Sequence, residues 1–316
     1  MNTEPEKEWS GKTDGTPWMQ RALVRACRMM PTWMPHVPLT LVSLGYVFVN
    51  GKSSRDIFNY YRKHQRYNLL HSLWATYYNH FLFGTIILDR FMFFAGKKYK
   101  IDIEGYDIFA ELNARSEGFV IFSSHTGNFE MAGFSLNSTN KEIHTLVYGG
   151  ETETVMRNRK KVLDRNNIKM IKTSADMSHL LEINNTLATG NIVSLPTDRI
   201  FGSAKSVTVN FMNGEVQLPA GPFSVAAQRQ APAIGVFVNK TGLKSYKVRV
   251  ARIDSRIDGT LKRREQIKAM AQVYADELAK TVREFPNQWF NYYDYWHDRD
   301  KKNQKETQAS VSYMPQ

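Results

Sequence analysis

A histidine and a glutamate five positions apart carry the strongest chemical signal in this sequence. His125 and Glu130 lie in the stretch SSHTGNFEMAG. Histidine is the common general base near neutral pH, and a carboxylate bonded to one ring nitrogen fixes the tautomer and stabilises the imidazolium. We interpret His125 as a base that deprotonates an attacking hydroxyl or amine, with Glu130 as its orienting group. The alternative, a capping histidine before an acidic helix start, would be favoured for a lone pair at this spacing.

The neighbouring segments predict where this pair lies. The run GFVIFS, residues Gly118–Ser123, has the length and continuous apolar character of a buried strand, and MAGFSL after Glu130 is helix-like. A histidine just past the carboxyl end of a buried strand stands where open α/β sheets place their sites. Gly127 permits the tight turn between strand and helix that this placement needs.

Strands and helices alternate over the rest of the chain, so we predict an α/β fold with a central mixed, largely parallel sheet flanked by helices. The further strand candidates are Tyr99–Glu104, His144–Tyr148, Met170–Lys172, Asn191–Leu195, Ala233–Val238 and Tyr246–Ile253. The helix candidates are Thr152–Asn166, Asp176–Ala188 and Arg263–Glu284. The predicted organisation is a disordered start (1–15), a helical region (16–95), the α/β domain (96–300) and a disordered tail (301–316).

The helical region has features of a membrane surface segment. Arg21, Arg25 and Arg28 recur at helical spacing among apolar residues, which is typical of a basic helix lying in an interface, or of a core-facing helix with a solvated basic face. The apolar run Val37–Val49 is shorter than the roughly 20 residues that a spanning helix needs. Ser53 or Ser54 is expected to cap a second helix, and a further helix is expected over Phe81–Phe94.

Composition excludes several classes of protein. The 316 residues carry a net charge of +12, which favours acidic partners such as anionic lipid, an acidic carrier protein or nucleic acid. A nucleic-acid module is not recognisable, so nucleic acid is not an expected partner. Cys27 is the single cysteine, so an internal disulfide or a cysteine-based zinc site is excluded. Walker A, dinucleotide-fingerprint, nucleophile-elbow and zinc-helix motifs are all missing, and no metal or cofactor is expected.

Three motifs together resemble the lysophospholipid acyltransferase superfamily, in particular its lipid A late acyltransferase branch. SSHTGNFEMAG resembles the first motif of that superfamily, a strand followed by His-x4-Asp or Glu. The block from Ser194 to Val238, with Asp198 in a turn and then Phe211–Gly214, Pro219–Pro222 and Pro232, resembles the later block of this branch. The ending EFPNQWFNYYDYW is similar to its terminal Pro-x-Gln-Trp segment. The likeness extends from about Trp18 to Trp296.

The resemblance implies an acyltransferase that moves a fatty acyl chain from acyl carrier protein or acyl-CoA to a lipid or glycolipid acceptor. His125 and Glu130 would be catalytic. The expected substrate-binding residues are Asp198, Arg199, Arg157, Arg159, Gly127 and Gly221. Asp198 and Arg199 would position the acceptor or pair with each other, and the backbone N–H groups of glycine-containing turns would stabilise the oxyanion. The expected protein is a monomer, peripheral or monotopic, on the cytoplasmic face of the bacterial inner membrane.

Some positions depart from the pattern of that branch. Arg199 stands where the branch usually has glutamine, and the loop Phe211–Gly214 is one residue longer than usual. The second motif of the family offers either Arg157 or Arg159. Two other functions use the same residues: a thioesterase in which His125 activates water, and a basic membrane-binding protein without catalysis.

Overall fold

The computed structural model describes residues 17–136, 138–147, 160, 163, 167–174, 176–200, 205–253 and 260–296. Arg157 and Arg159 lie outside these residues, as does the predicted helix Thr152–Asn166 except for positions 160 and 163. The predicted disordered ends also lie outside them.

A seven-stranded mixed sheet forms the centre of the fold, as the sequence predicted. Its strands are β1 (Lys100–Glu104), β2 (Phe119–Ser123), β3 (Ile143–Val147), β4 (Ile168–Lys172), β5 (Ile192–Pro196), β8 (Ala233–Gly242) and β9 (Ser245–Arg252). The order across the sheet is β1-β9-β8-β2-β5-β3-β4. All neighbours are parallel except β8 and β9, which form an antiparallel hairpin.

Helices cover both faces of the sheet and precede it in the chain. They are α1 (Pro17–Met29), α2 (His36–Val49), α3 (Gly51–Asn59), α4 (Leu69–Phe94), α5 (Tyr106–Ala114), α6 (Phe129–Ser135), α7 (Ser178–Ala188), α8 (Ala220–Arg229) and α9 (Arg263–Glu284). A π-helical turn, Tyr60–His64, follows α3, and a 3₁₀ turn, Pro286–Gln288, follows α9.

Strand β2 lies in the middle of the sheet, and its side chains are apolar on both faces. Phe122 joins the core on one face, where it packs against Phe223 of α8 and Tyr274 of α9. Phe119 joins the core on the other face, against Phe109 of α5. A strand buried on both faces reads as a continuous apolar run, which is why GFVIFS could be predicted.

The N-terminal helices differ from the prediction in their boundaries. Neither Ser53 nor Ser54 caps a helix, because α3 already begins at Gly51. Asn68 is the N-cap of the next helix, α4, and its side chain accepts a hydrogen bond from His71 N at 2.8 Å. The expected separate helix over Phe81–Phe94 is instead the second half of one continuous helix, α4.

A two-stranded antiparallel hairpin that the sequence did not predict packs on α9 and contributes to the main core. It pairs β6 (Ser206–Phe211) with β7 (Gly214–Pro219). Its apolar residues alternate along each strand, and Val209, Phe211, Val216 and Leu218 are buried. Since only one face is buried, each strand has the period of two that a half-buried hairpin requires.

Among the described residues, no helix combines the length and the apolar character needed to cross a bilayer.

Candidate active site

The loop from Ser124 to Asn128 presents His125 at the carboxyl end of β2, where the sequence placed it. The strands on both sides of β2, β5 and β8, run parallel to it, so their carboxyl ends meet at the same edge. The Ser123 carbonyl at the end of β2 accepts hydrogen bonds from Thr197 N at 3.0 Å and from the Tyr274 hydroxyl at 2.9 Å. The start of the loop is therefore fixed to the neighbouring strand and to α9.

Gly127 is required by a close approach between this loop and β8. Its φ is +48°, a backbone conformation that disfavours residues with a Cβ. A Cβ placed on Gly127 would collide with the Val238 carbonyl and would lie 2.9 Å from the Cα of Asn239. The loop Ser124–Asn128 therefore lies directly on the end of β8.

Asp198 contacts His125 twice. One carboxylate oxygen lies 2.7 Å from the imidazole Nδ1, and the other accepts a hydrogen bond from the backbone amide of His125 at 2.8 Å. The Asp198 side chain is fully buried, while the His125 side chain is 29% exposed. With Nδ1 carrying the proton donated to the carboxylate, Nε2 is left as the basic nitrogen.

The electrostatics keep Asp198 ionised. Burial by itself would raise the pKa of this carboxyl. The charge and hydrogen bonds of His125, together with the Arg199 guanidinium, outweigh burial and hold the pKa at about 2. Trp289 Nε1, at 3.3 Å, and Asn291 Nδ2, at 3.5 Å, also lie beside the carboxylate. A buried anion with this set of donors is suited to stabilise an imidazolium.

The orienting contact predicted for Glu130 is therefore made, on Nδ1, by Asp198. Glu130 is the second residue of α6, immediately after the loop Ser124–Asn128, but its side chain lies outside what the structure describes. A catalytic role for Glu130 stays a prediction. Local spacing could suggest Glu130, whereas Asp198 is 73 positions from His125 and is brought to it only by the pairing of β2 with β5.

Arg199 contacts the C-terminal segment. Its Nε donates to the Asn291 side chain at 2.6 Å, and the guanidinium also donates to the Phe290 carbonyl. Of the two predicted alternatives, acceptor binding and pairing with Asp198, the first stays a prediction. The predicted pairing with Asp198 is electrostatic: the guanidinium charge lowers the pKa of Asp198, while the guanidinium hydrogen bonds go to Asn291 and Phe290.

A C-terminal segment, residues 286–291, contacts the loop through backbone bonds that local sequence patterns do not predict. Thr126 and Trp289 form an antiparallel bridge. The Gly127 amide donates to the Gln288 carbonyl at 2.7 Å, and Phe290 N donates to the His125 carbonyl at 3.0 Å. The 3₁₀ turn Pro286–Gln288 and the two residues after it are thus bonded through their backbone to the loop that carries His125.

The N-terminal helical region holds the far side of this segment. The Asn79 side chain of α4 donates to the carbonyls of Asn287 and Trp289 at 3.1 and 3.3 Å. The hydroxyls of Tyr60 and Tyr61, in the π-helical turn, donate to the Pro286 carbonyl at 3.3 and 3.2 Å. π-helical turns often accompany functional sites. The N-terminal region is therefore part of the scaffold of the site.

Gly127 and Gly221, the two glycines predicted to bind substrate, differ in their surroundings. The Gly127 amide already donates to Gln288, which disfavours it as a donor to an oxyanion. Gly221 is the second residue of α8, with open space where a Cβ would stand, and its predicted substrate contact is untested. Among the described residues, no group of three or more histidine, cysteine or acidic side chains could hold a metal ion.

Comparison with known families identifies the class of protein. The family of bacterial lipid A biosynthesis acyltransferases matches residues 57–297, which include His125, Asp198 and the C-terminal segment. The match covers more than half of the chain. The chain therefore belongs to this family of acyltransferases. No curated protein matches it significantly.

Proposed function

We propose that this protein transfers a fatty acyl chain from an acyl thioester to a hydroxyl or amine of a lipid-type acceptor, with His125 as the general base. The observation that carries the proposal is the pairing of a partly exposed imidazole with the buried Asp198 carboxylate at the carboxyl end of β2. Membership of an acyltransferase family gives this pair its reaction class.

The proposed reaction needs no covalent enzyme intermediate. Nε2 of His125 takes the proton of the acceptor as the acceptor oxygen or nitrogen attacks the thioester carbonyl. The tetrahedral intermediate collapses, the C–S bond breaks, and the imidazolium returns its proton to the departing thiolate. Asp198 stabilises the imidazolium between these steps, and the buried carboxylate keeps Nδ1 as the protonated nitrogen.

The donor is proposed to be acyl carrier protein, with acyl-CoA as the alternative. Both are anionic, and the chain carries a net charge of +12. Arg157, Arg159, Lys160 and Lys161 are proposed to meet the donor or an anionic acceptor; of these, Lys160 lies within the described residues and is exposed. A thioesterase, in which water replaces the acceptor, is separated from this proposal by measuring acyl release.

The surface that meets the membrane is proposed to consist of α1, α2 and the first turns of α4. Large apolar side chains are exposed there, among them Trp18, Leu23, Met29, Leu41, Phe48, Val49, Leu70 and Trp74. Exposed apolar patches of this kind mark interaction sites, and the exposed Arg21, Arg25 and Arg28 on α1 favour anionic head groups. We propose peripheral or monotopic attachment to the cytoplasmic face of a bacterial inner membrane.

The test is acyl transfer by the purified full chain, with acyl carrier protein or CoA thioesters as donors and a bacterial lipid extract as acceptor. Mass spectrometry follows both acylated lipid and released fatty acid. His125→Ala should abolish transfer. His144→Ala is the matched control, because His144 is on β3 and pairs with Glu142 at the opposite end of the sheet. Retained transfer in His125→Ala would refute the assignment, and release without transfer would favour the thioesterase.

A further inference from the structure

A buried charged cluster lies beside the proposed site and takes no part in the reaction drawn above. The Asp89 carboxylate of α4 is fully buried and accepts hydrogen bonds from the Lys240 ammonium and from the hydroxyls of Tyr246 and Tyr99, the last at 3.0 Å. Lys240 and Tyr246 are paired across the β8–β9 hairpin. We call these four residues the Asp89 cluster.

The charges of Asp89 and Lys240 balance each other, and the Lys240 ammonium also donates to the Leu243 carbonyl at 3.0 Å. One carboxylate meets one ammonium, and the Lys240 Nζ also lies 5.0 Å from the Tyr246 ring centroid and 5.6 Å from that of Tyr99. Burial and the Asp89 charge raise the pKa of both tyrosines, so their hydroxyls remain donors. A buried pair with satisfied partners holds its elements in one arrangement, here α4 against the end of β8.

Two sets of hydrogen bonds connect the Asp89 cluster to the loop Ser124–Asn128. The Tyr246 hydroxyl is 3.5 Å from the side-chain nitrogen of Asn128, the buried residue that ends the loop. The backbone of Lys240 bonds the Gln288 side chain at both ends, N–H to Oε1 at 2.7 Å and carbonyl to Nε2 at 2.8 Å. The Gln288 carbonyl in turn receives the Gly127 amide.

We propose that Tyr246, held by Asp89 and Lys240, is a positioning residue. It fixes Asn128 and thereby the position of the His125 loop relative to β8. The inference rests on the proposed function for its catalytic consequence. Its structural content, the placement of the loop, does not depend on which reaction His125 catalyses.

The two tyrosines of the cluster provide a matched pair of variants. Each donates one hydroxyl to Asp89, but of the two only Tyr246 is seen to bond Asn128 within the described residues. With the donor and acceptor found active above, Tyr246→Phe should lower kcat about tenfold, because misplacement of a catalytic group by about 1 Å can cost up to 100-fold. KM for the donor should stay within about twofold, while Tyr99→Phe should retain kcat to within about twofold.

A double-mutant cycle tests the contact itself. Asn128→Ala should lower kcat, and adding Tyr246→Phe to it should produce no further loss, because both changes break the same link. Additive losses would show that the two residues act separately and would overturn the proposal. Thermal unfolding of each variant, measured separately, shows whether a loss of kcat is caused by a loss of stability.

Amide hydrogen exchange supplies a readout that needs no activity. Mass spectrometry of peptides covering residues 124–130 should show faster exchange in Tyr246→Phe than in Tyr99→Phe. Equal exchange and equal kcat in the two variants would overturn the inference. A wild-type chain without acyl transfer would refute the proposed function instead, while a difference in exchange between the variants would still support the positioning role.

Discussion

The Asp198 carboxylate is bonded to His125 at two points, the backbone amide and the imidazole Nδ1, at 2.8 and 2.7 Å. One residue thus fixes both the position of the loop and the orientation of the ring. A substitution that keeps the shape of Asp198 but removes its charge therefore separates scaffolding from electrostatics.

Asp198→Asn should lower the rate of acyl transfer by about 10³–10⁴, since an amide at this position no longer favours the tautomer with a basic Nε2 and no longer stabilises the imidazolium. The measurement is kcat for acyl transfer. The matched control is Asp176→Asn, because Asp176 is another aspartate with a pKa of about 2 but is exposed and caps a turn at Ser178. A rate for Asp198→Asn within tenfold of wild type would contradict the assigned role.

Asp198 should also make stability depend on pH. Its pKa is about 2 in the folded chain against an ordinary value of 3.8, so the folded state binds fewer protons than the unfolded state. The stabilisation is complete above about pH 4 and is lost as pH falls to about 2, and it amounts to about 2 kcal/mol.

Urea unfolding of wild type and Asp198→Asn at a series of pH values checks this. The wild type should lose more unfolding free energy than the variant as the pH falls from 5 towards 2. Parallel curves over this range would show that Asp198 does not titrate with a depressed pKa.

Gly127→Ala should damage both stability and catalysis. The new Cβ would meet the Val238 carbonyl, and φ is +48°, so either the loop or the end of β8 must move. We expect a loss of about 2 kcal/mol or more in unfolding free energy, since strain and overpacking add.

Gly45→Ala is the matched control for this change. Gly45 lies inside α2 with open space around its Cα, so alanine should raise stability by about 0.5–1 kcal/mol through helix propensity. Chemical unfolding of both variants gives the comparison. An equal effect of the two substitutions would contradict the close approach of the loop to β8.

The apolar surface of α1, α2 and α4 should bind anionic lipid. Leu41→Ser combined with Phe48→Ser should reduce partitioning onto vesicles of phosphatidylglycerol, measured by sedimentation, by about thirtyfold or more, because each side chain contributes roughly 1–3 kcal/mol when buried in an apolar phase. Leu41 and Phe48 are 75% and 77% exposed.

Leu181→Ser, on α7, is the control, because this leucine is also largely exposed, at 64%, but lies on a helix that flanks the sheet. Binding that is unchanged in the double variant would exclude this surface. Loss of a dimer rather than of vesicle binding, measured by light scattering, would assign the surface to a second copy of the chain.

The sequence predicts the elements that depend on local pattern. Helix α9 occupies the predicted residues Arg263–Glu284, and β2 and β5 lie within a residue of their predicted bounds, because apolar runs and helical spacing are local properties. The hairpin of β6 and β7 did not emerge from the sequence, although its apolar residues alternate, because each strand is short and buries one face only.

The pairing of His125 with Asp198 could not be predicted in the same way. The spacing of His125 and Glu130 suggests an orienting group nearby, whereas the observed partner on Nδ1 follows β5, the third strand after β2 in the chain. The bridge between Thr126 and Trp289 joins residues that no local pattern connects. Both contacts join residues that are far apart in the sequence. They depend on the tertiary structure, which local sequence patterns do not reveal.

The position of residues 286–291 has a consequence for how the enzyme matures. The sheet and His125 are complete once β9 has formed, but the loop gains its bonds to Gln288 and Phe290 only after α9 has been made. A nascent chain therefore contains His125, the proposed base, before the backbone contacts that hold its loop can form. Under the proposed function, the order of synthesis would keep the growing polypeptide from consuming acyl donors until residues 286–291 have docked.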